Sequence, residues 1–150
     1  MPQGIVHMAP DEGRSQWVLG ELVTYKTTSE QTGGAYSLFE VKTSPGGGPP
    51  PHVQHREDES LYVLEGEFEF LVEGRAITAG AGALIYVPKG NLHAHKNVGE
   101  GAGRLLVTQT PGGLYERFFE SLFPEADGTR IPALAARYGI EITKGDNREA

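Results

Sequence analysis

Four of the five histidines in this chain fall into two tight groups. His52 and His55 stand with Gln54 and Glu59 in one glycine- and proline-punctuated string running from Gly48 to Gly66. His93 and His95 stand with Asn97 in a second string that begins at Gly82. Two remote segments, each entering a strand with an imidazole, are what a small β-barrel needs to converge ligands on one metal ion. Imidazole with carboxylate admits Mn, Fe, Co, Ni, Cu or Zn, and ligand type alone does not choose among them. The chain has no cysteine, so thiolate sites, disulfides and cysteine nucleophiles are excluded. Any metal must be held by nitrogen and oxygen.

Whether the strings converge depends on the elements that carry them. Residues two apart in a strand share a face. His52 and Gln54 therefore point one way and His55 the other, unless a bulge reverses it. A strand resuming past Asp58 carries Glu59 into the same interior as Leu61 and Val63, and His93, His95 and Asn97 share a face of their own. The clearest alternation runs over residues 67–73. Phe68, Phe70 and Val72 form one face, while Glu67, Glu69 and Glu73 form a solvated one shared with Leu71. Further strands are expected over residues 17–28 (broken at Gly20), 35–43, 61–64, 76–78, 84–87, 92–97 and 104–110, with a tight loop over residues 44–51.

After Pro111 the period changes. Leu114, Phe118 and Leu122 recur at helical spacing, with Phe119 and Phe123 widening the stripe. A second helix is expected from Pro132 to Tyr138, stopped by Gly139. The aromatics of these helices are expected in the core or at a dimer contact rather than at a cofactor site.

Length and composition bound the rest. The 150 residues fit one domain with a real core, and 21 glycines with 10 prolines suit many turns between short strands. The expected organisation is a flexible N-terminal arm over residues 1–15, a barrel over 16–111, and a C-terminal helical extension of the same domain over 112–150. A net charge of −7 without a basic cluster argues against a nucleic-acid surface. No apolar run approaches membrane-spanning length, and the N-terminus lacks a signal-peptide layout. The expectation is a soluble cytoplasmic protein with no membrane and no nucleic-acid partner. There is no P-loop, dinucleotide fingerprint or nucleophile elbow.

The two strings resemble the motifs of the cupin superfamily. Its first motif runs Gly, five residues, His-x-His, three or four residues, Glu, six residues, Gly. Its second runs Gly, five residues, Pro-x-Gly, two residues, His, three residues, Asn. Gly82, Pro88, Gly90, His93 and Asn97 meet the second at every fixed position. The first aligns through His52, Glu59 and Gly66, with Gly46 or its neighbours in the leading turn. Residues 110–120 and 135–142 resemble the tail of single-domain cupins often likened to quercetin dioxygenases. The resemblance covers most of residues 35–143.

It implies an all-β fold, a small jelly-roll barrel with short C-terminal helices packed outside. It also implies a divalent transition metal held by His52, Gln54, Glu59 and His93. Gln54 stands where the family usually has its second histidine, and a neutral amide oxygen is a weaker donor than imidazole. Without it, two histidines and one carboxylate remain, the ligand count of non-haem Fe(II) oxygenase sites. His95 stands where relatives commonly carry an aromatic that lines the cavity. Three roles stay open for it: replacement ligand, proton carrier, or substrate-binding wall of the pocket.

The implied activity is that of a metal-dependent, dioxygenase-type oxidoreductase on a small aromatic or enol-like metabolite. Glu59 is its candidate catalytic proton acceptor. A metal-dependent lyase, isomerase or decarboxylase is the alternative, as is a non-catalytic small-ligand binder. A homodimer is expected, since Leu71 and the 114–123 helix offer apolar surface that needs cover.

Overall fold

In the computed structural model, which describes residues 4–122 and 128–143, the chain forms two facing antiparallel sheets. The strands are β1 (Ser15–Val18), β2 (Glu21–Thr27), β3 (Ser37–Thr43), β4 (His52–Gln54), β5 (Asp58–Glu65) and β6 (Glu67–Val72). They continue as β7 (Arg75–Gly80), β8 (Leu84–Val87), β9 (Leu92–Asn97), β10 (Gly103–Thr110) and β11 (Ile140–Ile142). Helices α1 (Ser29–Thr32), α2 (Leu114–Ser121) and α3 (Ile131–Ala136) complete it, with a 3-10 turn over Gly128–Arg130. One sheet has the order β1-β2-β3-β10-β5-β8 and the other β11-β4-β9-β6-β7. This is the expected jelly-roll architecture with few, short helices.

Alternation builds the interior. Val23, Tyr25, Phe39, Val41, Leu61, Val63, Leu105 and Val107 of the first sheet are buried, as are Phe68 and Phe70 of the second. Each such side chain contributes roughly 1.5–3 kcal/mol by leaving water, so the sandwich closes on its apolar faces. Phe118 and Phe119 of α2 are buried in the same core, as their helical spacing predicted; Tyr115, outside that stripe, is buried with them, while Leu114 and Leu122 are only half-buried. Phe123, the last residue of that stripe, lies outside the described residues.

Three elements differ from the sequence-based expectation. β5 begins at Asp58, three residues early, because Glu59 pairs with Gln109 of β10 on one side and Val87 of β8 on the other. Helix α1 is a single turn closed by a capping box between Thr28 and Gln31, too short to leave a periodic signal. β11 adds to the edge of β4, with Ile140 opposite Gln54 and Ile142 opposite His52. Its three residues pair only because α3 and Gly139 return the chain to that edge. Helix α3 itself ends at Ala136, with Pro132 in its first turn.

The 44–51 loop is held against β9 by a close backbone approach. Gly48 has φ +150°, and a Cβ there would lie 2.0 Å from the carbonyl oxygen of His95. Only glycine fits, and the contact brings Pro49 and Pro50 against the cavity between the sheets.

Candidate metal centre

Register brings the two strings together. β4 pairs with β9 so that His52 faces His93 directly, with ring centroids 4.3 Å apart. Glu59 comes from β5 in the opposite sheet. One ligand atom from each of His52, Glu59 and His93 lies within 4.8 Å of the others. All three residues are buried, none more than 6% exposed. Among the described residues this is the group of histidine and carboxylate side chains with the spacing to hold a metal ion.

The imidazoles are turned for ligation. His52 Nδ1 lies 2.9 Å from the Pro50 carbonyl oxygen and His93 Nδ1 lies 3.0 Å from that of Asn91. A carbonyl only accepts, so both Nδ1 atoms carry hydrogen and both Nε2 atoms face the centre. Backbone carbonyls that fix the tautomer in this way are the usual support of a metal-binding histidine. Burial, aided by the charge of His93, pushes His52 down to about 4. It therefore presents a neutral lone pair at neutral pH.

Glu59 and His93 are coupled. His93 Nε2 lies 3.1 Å from Glu59 Oε1, while Gln109 donates to Oε2 at 2.8 Å. Burial alone would raise the Glu59 carboxyl. The hydrogen bond and charge of His93, the charge of His52 and the Gln109 amide outweigh it and hold Glu59 at about 2. Burial would likewise lower His93, but the bond and charge of Glu59 raise it. Without a metal the pair is an imidazolium against a carboxylate, and a cation would take the place of the shared proton.

Gln54 lies beside this pair, 1% exposed. Its amide nitrogen donates two long hydrogen bonds, each 3.4 Å, to Glu57 Oε1 and Glu59 Oε2. Its own oxygen has no partner, nor does Glu57 Oε2. Buried acceptors without donors are costly, and a bound cation would answer that deficit. The residues present therefore fit a divalent metal. Glu57 was not foreseen: it lies between β4 and β5, where no alternation marks it. Burial, then the Glu59 carboxylate, pushes its carboxyl up to about 8, against the Gln54 bond and the Arg117 charge.

His95 points elsewhere. Its Nε2 lies 2.8 Å from Glu21 Oε2, which also accepts from Thr43 Oγ1 at 2.6 Å. Burial would raise the Glu21 carboxyl, but the charge and hydrogen bond of His95, with the Thr43 hydroxyl, hold it below its usual value. Glu21 was legible in principle, since it shares inward parity with Val23 and Tyr25. Gln109 likewise shares parity with Leu105 and Val107. His55 faces outward, as alternation requires, and lies 2.9 Å from Glu141. Asn97 is a structural staple: it donates to the Thr43 and Gly101 carbonyls and accepts from the Gly99 amide.

A pocket between the sheets joins these groups. Glu21, His52, Glu59 and His95 supply its polar lining, and apolar side chains with Tyr115, Phe118 and Phe119 supply the rest. The lining contains no lysine or arginine. The α2 aromatics thus serve the core and also form a wall of this pocket, which spacing alone did not reveal.

Comparison with known proteins agrees with this architecture. Residues 39–109 match the cupin domain family. Over 84 residues the chain is 36% identical to germin-like protein subfamily 2 member 2 of Arabidopsis thaliana, covering 51% of this chain and 38% of that protein. The chain therefore spans well under two thirds of that relative. The fold superposes on KdgF from Halomonas sp. with a TM-score of 0.66 at 20% identity, covering 74% of this chain and 96% of that one. It superposes on a predicted oxalate decarboxylase from Thermotoga maritima with a TM-score of 0.65 at 20% identity, covering 72% and 99%. At such identities the structural likeness is one of fold. Residues 39–109, which match the cupin domain family, carry both motif-bearing strands and the buried His/Glu/His group, and the two sheets around them form a cupin fold.

Proposed function

We propose that this cupin is a metal-dependent oxidoreductase of the dioxygenase type, acting on a small aromatic or enol-like molecule. The observation that carries the reading is the buried group of two imidazoles and one carboxylate, of which His52 and Glu59 line a largely apolar pocket. His52, Glu59 and His93 would hold a divalent transition metal, with Gln54 as a fourth or labile ligand. When bound, such a metal supplies Lewis acidity and redox capacity at the floor of the pocket.

The chain's own residues set what enters. A lining with two carboxylates and no lysine or arginine disfavours small dianions such as oxalate and suits a neutral, planar, mostly apolar molecule. Both oxygens of Glu59 are engaged and its carboxyl sits at about 2. That state suits a ligand better than a proton acceptor. His95, backed by Glu21, is the better-placed polar group for holding a substrate hydroxyl. The same His95–Glu21 pair favours a second reading, a metal-assisted lyase, isomerase or decarboxylase in which protons move without O2.

The test is metal analysis of untagged protein purified without added metal, followed by O2 uptake after loading with Fe(II) or Mn(II) and supplying a flavonol or a catechol. O2 consumption that His93→Ala abolishes supports the oxidative reading. Turnover without O2 moves the protein to the second. Metal and ligand binding without turnover of any of these probes makes the barrel a receptacle.

A further inference from the structure

Tyr115 belongs to neither motif string, yet it lines the same pocket as His52, Glu59 and His95. It is 8% exposed. Its ring is stacked on Phe119, one helical turn on, with centroids 5.1 Å apart and planes at 11°, and Phe118 lies 6.0 Å away. The helix beneath it is pinned as well. Gly113 N–H donates to Ser37 Oγ at 3.0 Å. Glu116 accepts from the Ser29 amide at 2.7 Å, from the Ser29 hydroxyl at 3.0 Å and from the Ser37 hydroxyl. Packing and the helix anchor therefore fix the phenol, because its hydroxyl makes no hydrogen bond to any described residue.

Around it the pocket is mostly apolar, with Glu21, His52, Glu59 and His95 as the polar side chains of the lining. After burial, the carboxylates of Glu59, Glu57 and Glu21 are what push the Tyr115 phenol well above its ordinary value. The hydroxyl is thus a fixed, protonated donor sharing a field with the floor of the pocket. No protein acceptor takes this hydroxyl, and its residue lines the pocket, so its donor is free for a ligand oxygen.

We propose that Tyr115 is a ligand-binding residue whose hydroxyl donates a hydrogen bond to one oxygen of a planar, aromatic, vicinally oxygenated ligand. The other oxygen of that ligand faces His52, Glu59 and His93, and its ring lies along the Phe118–Phe119 wall. This deepens the metal-dependent reading above and rests on it. It gives the C-terminal helix a part in recognition, at a position the cupin motifs do not contain.

The experiment uses 4-nitrocatechol as the probe, with binding read from its visible absorption, on Co(II)-loaded and metal-free protein. Tyr115→Phe keeps the stacked ring and removes only the donor. The expected result is a Kd for 4-nitrocatechol weakened by about tenfold, the worth of one buried hydrogen bond. Cobalt stoichiometry and melting temperature should match the parent. Equal Kd values in parent and variant overturn the assignment, as does a parent that binds cobalt but not the probe. If the parent takes up no cobalt, the metal reading fails separately. Metal-free binding then decides Tyr115: a weakened variant keeps it, while equal affinities or no binding by the parent overturn it.

Discussion

His95 directs Nε2 at Oε2 of Glu21, 2.8 Å away, from a side chain only 9% exposed. The two residues lie 74 positions apart and meet across the pocket. A nitrogen committed in this way is not competing for the metal. His95→Ala is therefore expected to leave metal content unchanged, as read by mass spectrometry of the protein. It should also lower stability by about 3 kcal/mol in urea denaturation, because a buried carboxylate loses its counter-charge. Adding Glu21→Gln should recover part of that loss. Metal lost on His95→Ala alone would make His95 a ligand.

His93→Ala should remove most of the metal and leave the barrel folded, since His93 lies beside His52 and Glu59 and is not a member of the apolar core cluster. Chelator competition should show affinity falling by more than about 100-fold. The coupling to Glu59 adds a pH signature. His93 is raised above its ordinary value of 6.5, so its proton competes with the metal to higher pH than a free imidazole would. Affinity in the parent should climb as pH rises from 6.5, with proton release on binding visible in weakly buffered solution. Unchanged metal content in His93→Ala would strike it from the ligand set.

Glu57 predicts the pH dependence of the metal-free fold. Its folded value of about 8 lies above the ordinary 4.5, so between these the native state holds a proton the unfolded chain has lost. A raised carboxyl stabilises fully below the unfolded value and loses that contribution as pH rises through the folded one. Metal-free protein should therefore lose stability from Glu57 as pH rises from 4.5 to 8. Glu57→Gln should abolish that component and stabilise the protein at pH 8 by about 2 kcal/mol or more. Denaturant midpoints of parent and variant at pH 5.5 and pH 8 measure it. Parallel pH profiles would show that Glu57 is not a buried neutral acid.

The barrel and the converging ligands were legible because alternation and motif spacing are local. His52, Gln54, Glu59 and His93 are all buried, with His55 outside, as parity alone required. The partners of those residues were not legible. Glu21 and Gln109 share inward parity with apolar neighbours, but only register shows which groups they meet. Glu57 sits in a bend where parity has no meaning. Tyr115 lies outside the stripe of Leu114, Phe118 and Leu122 that marks the helix, and its place in the pocket appears only once the helix is docked. β11 depends wholly on where α3 delivers the chain.

The outer face of the first sheet bears on association. Tyr62, Leu84 and Tyr86 are 41%, 58% and 55% exposed. Leu84 pairs across from Tyr62 on β8, which is an edge strand. An exposed edge carrying large apolar side chains invites a partner strand, and we propose a second copy of this chain as that partner. Light scattering at micromolar concentration should give a dimer, and Leu84→Lys with Tyr86→Lys should give a folded monomer. A parent that is already monomeric would refute the proposal.

Gln54 offers the sharpest test of the centre. It occupies the place of a family histidine, beside Glu59, with its side-chain oxygen unpartnered. Gln54→His replaces a weak amide donor by an imidazole in a site whose other ligands are already fixed by Pro50, Asn91 and Gln109. Divalent affinity should tighten by about tenfold or more, and by more for Zn or Ni than for Mn, because nitrogen donors favour the later metals. Activity need not follow, since a strong fourth ligand occupies a position substrate would use. In metal-free protein the new imidazole would lie against Glu57 and Glu59, so the gain should shrink at low pH as protons compete. Chelator competition on both proteins, each with and without His95→Ala, separates the possibilities. Unchanged affinity in Gln54→His, together with metal lost on His95→Ala in the parent, would move the site onto the His93 and His95 pair. The expected pattern is the reverse: tighter binding with the new imidazole, and indifference to His95 in either background.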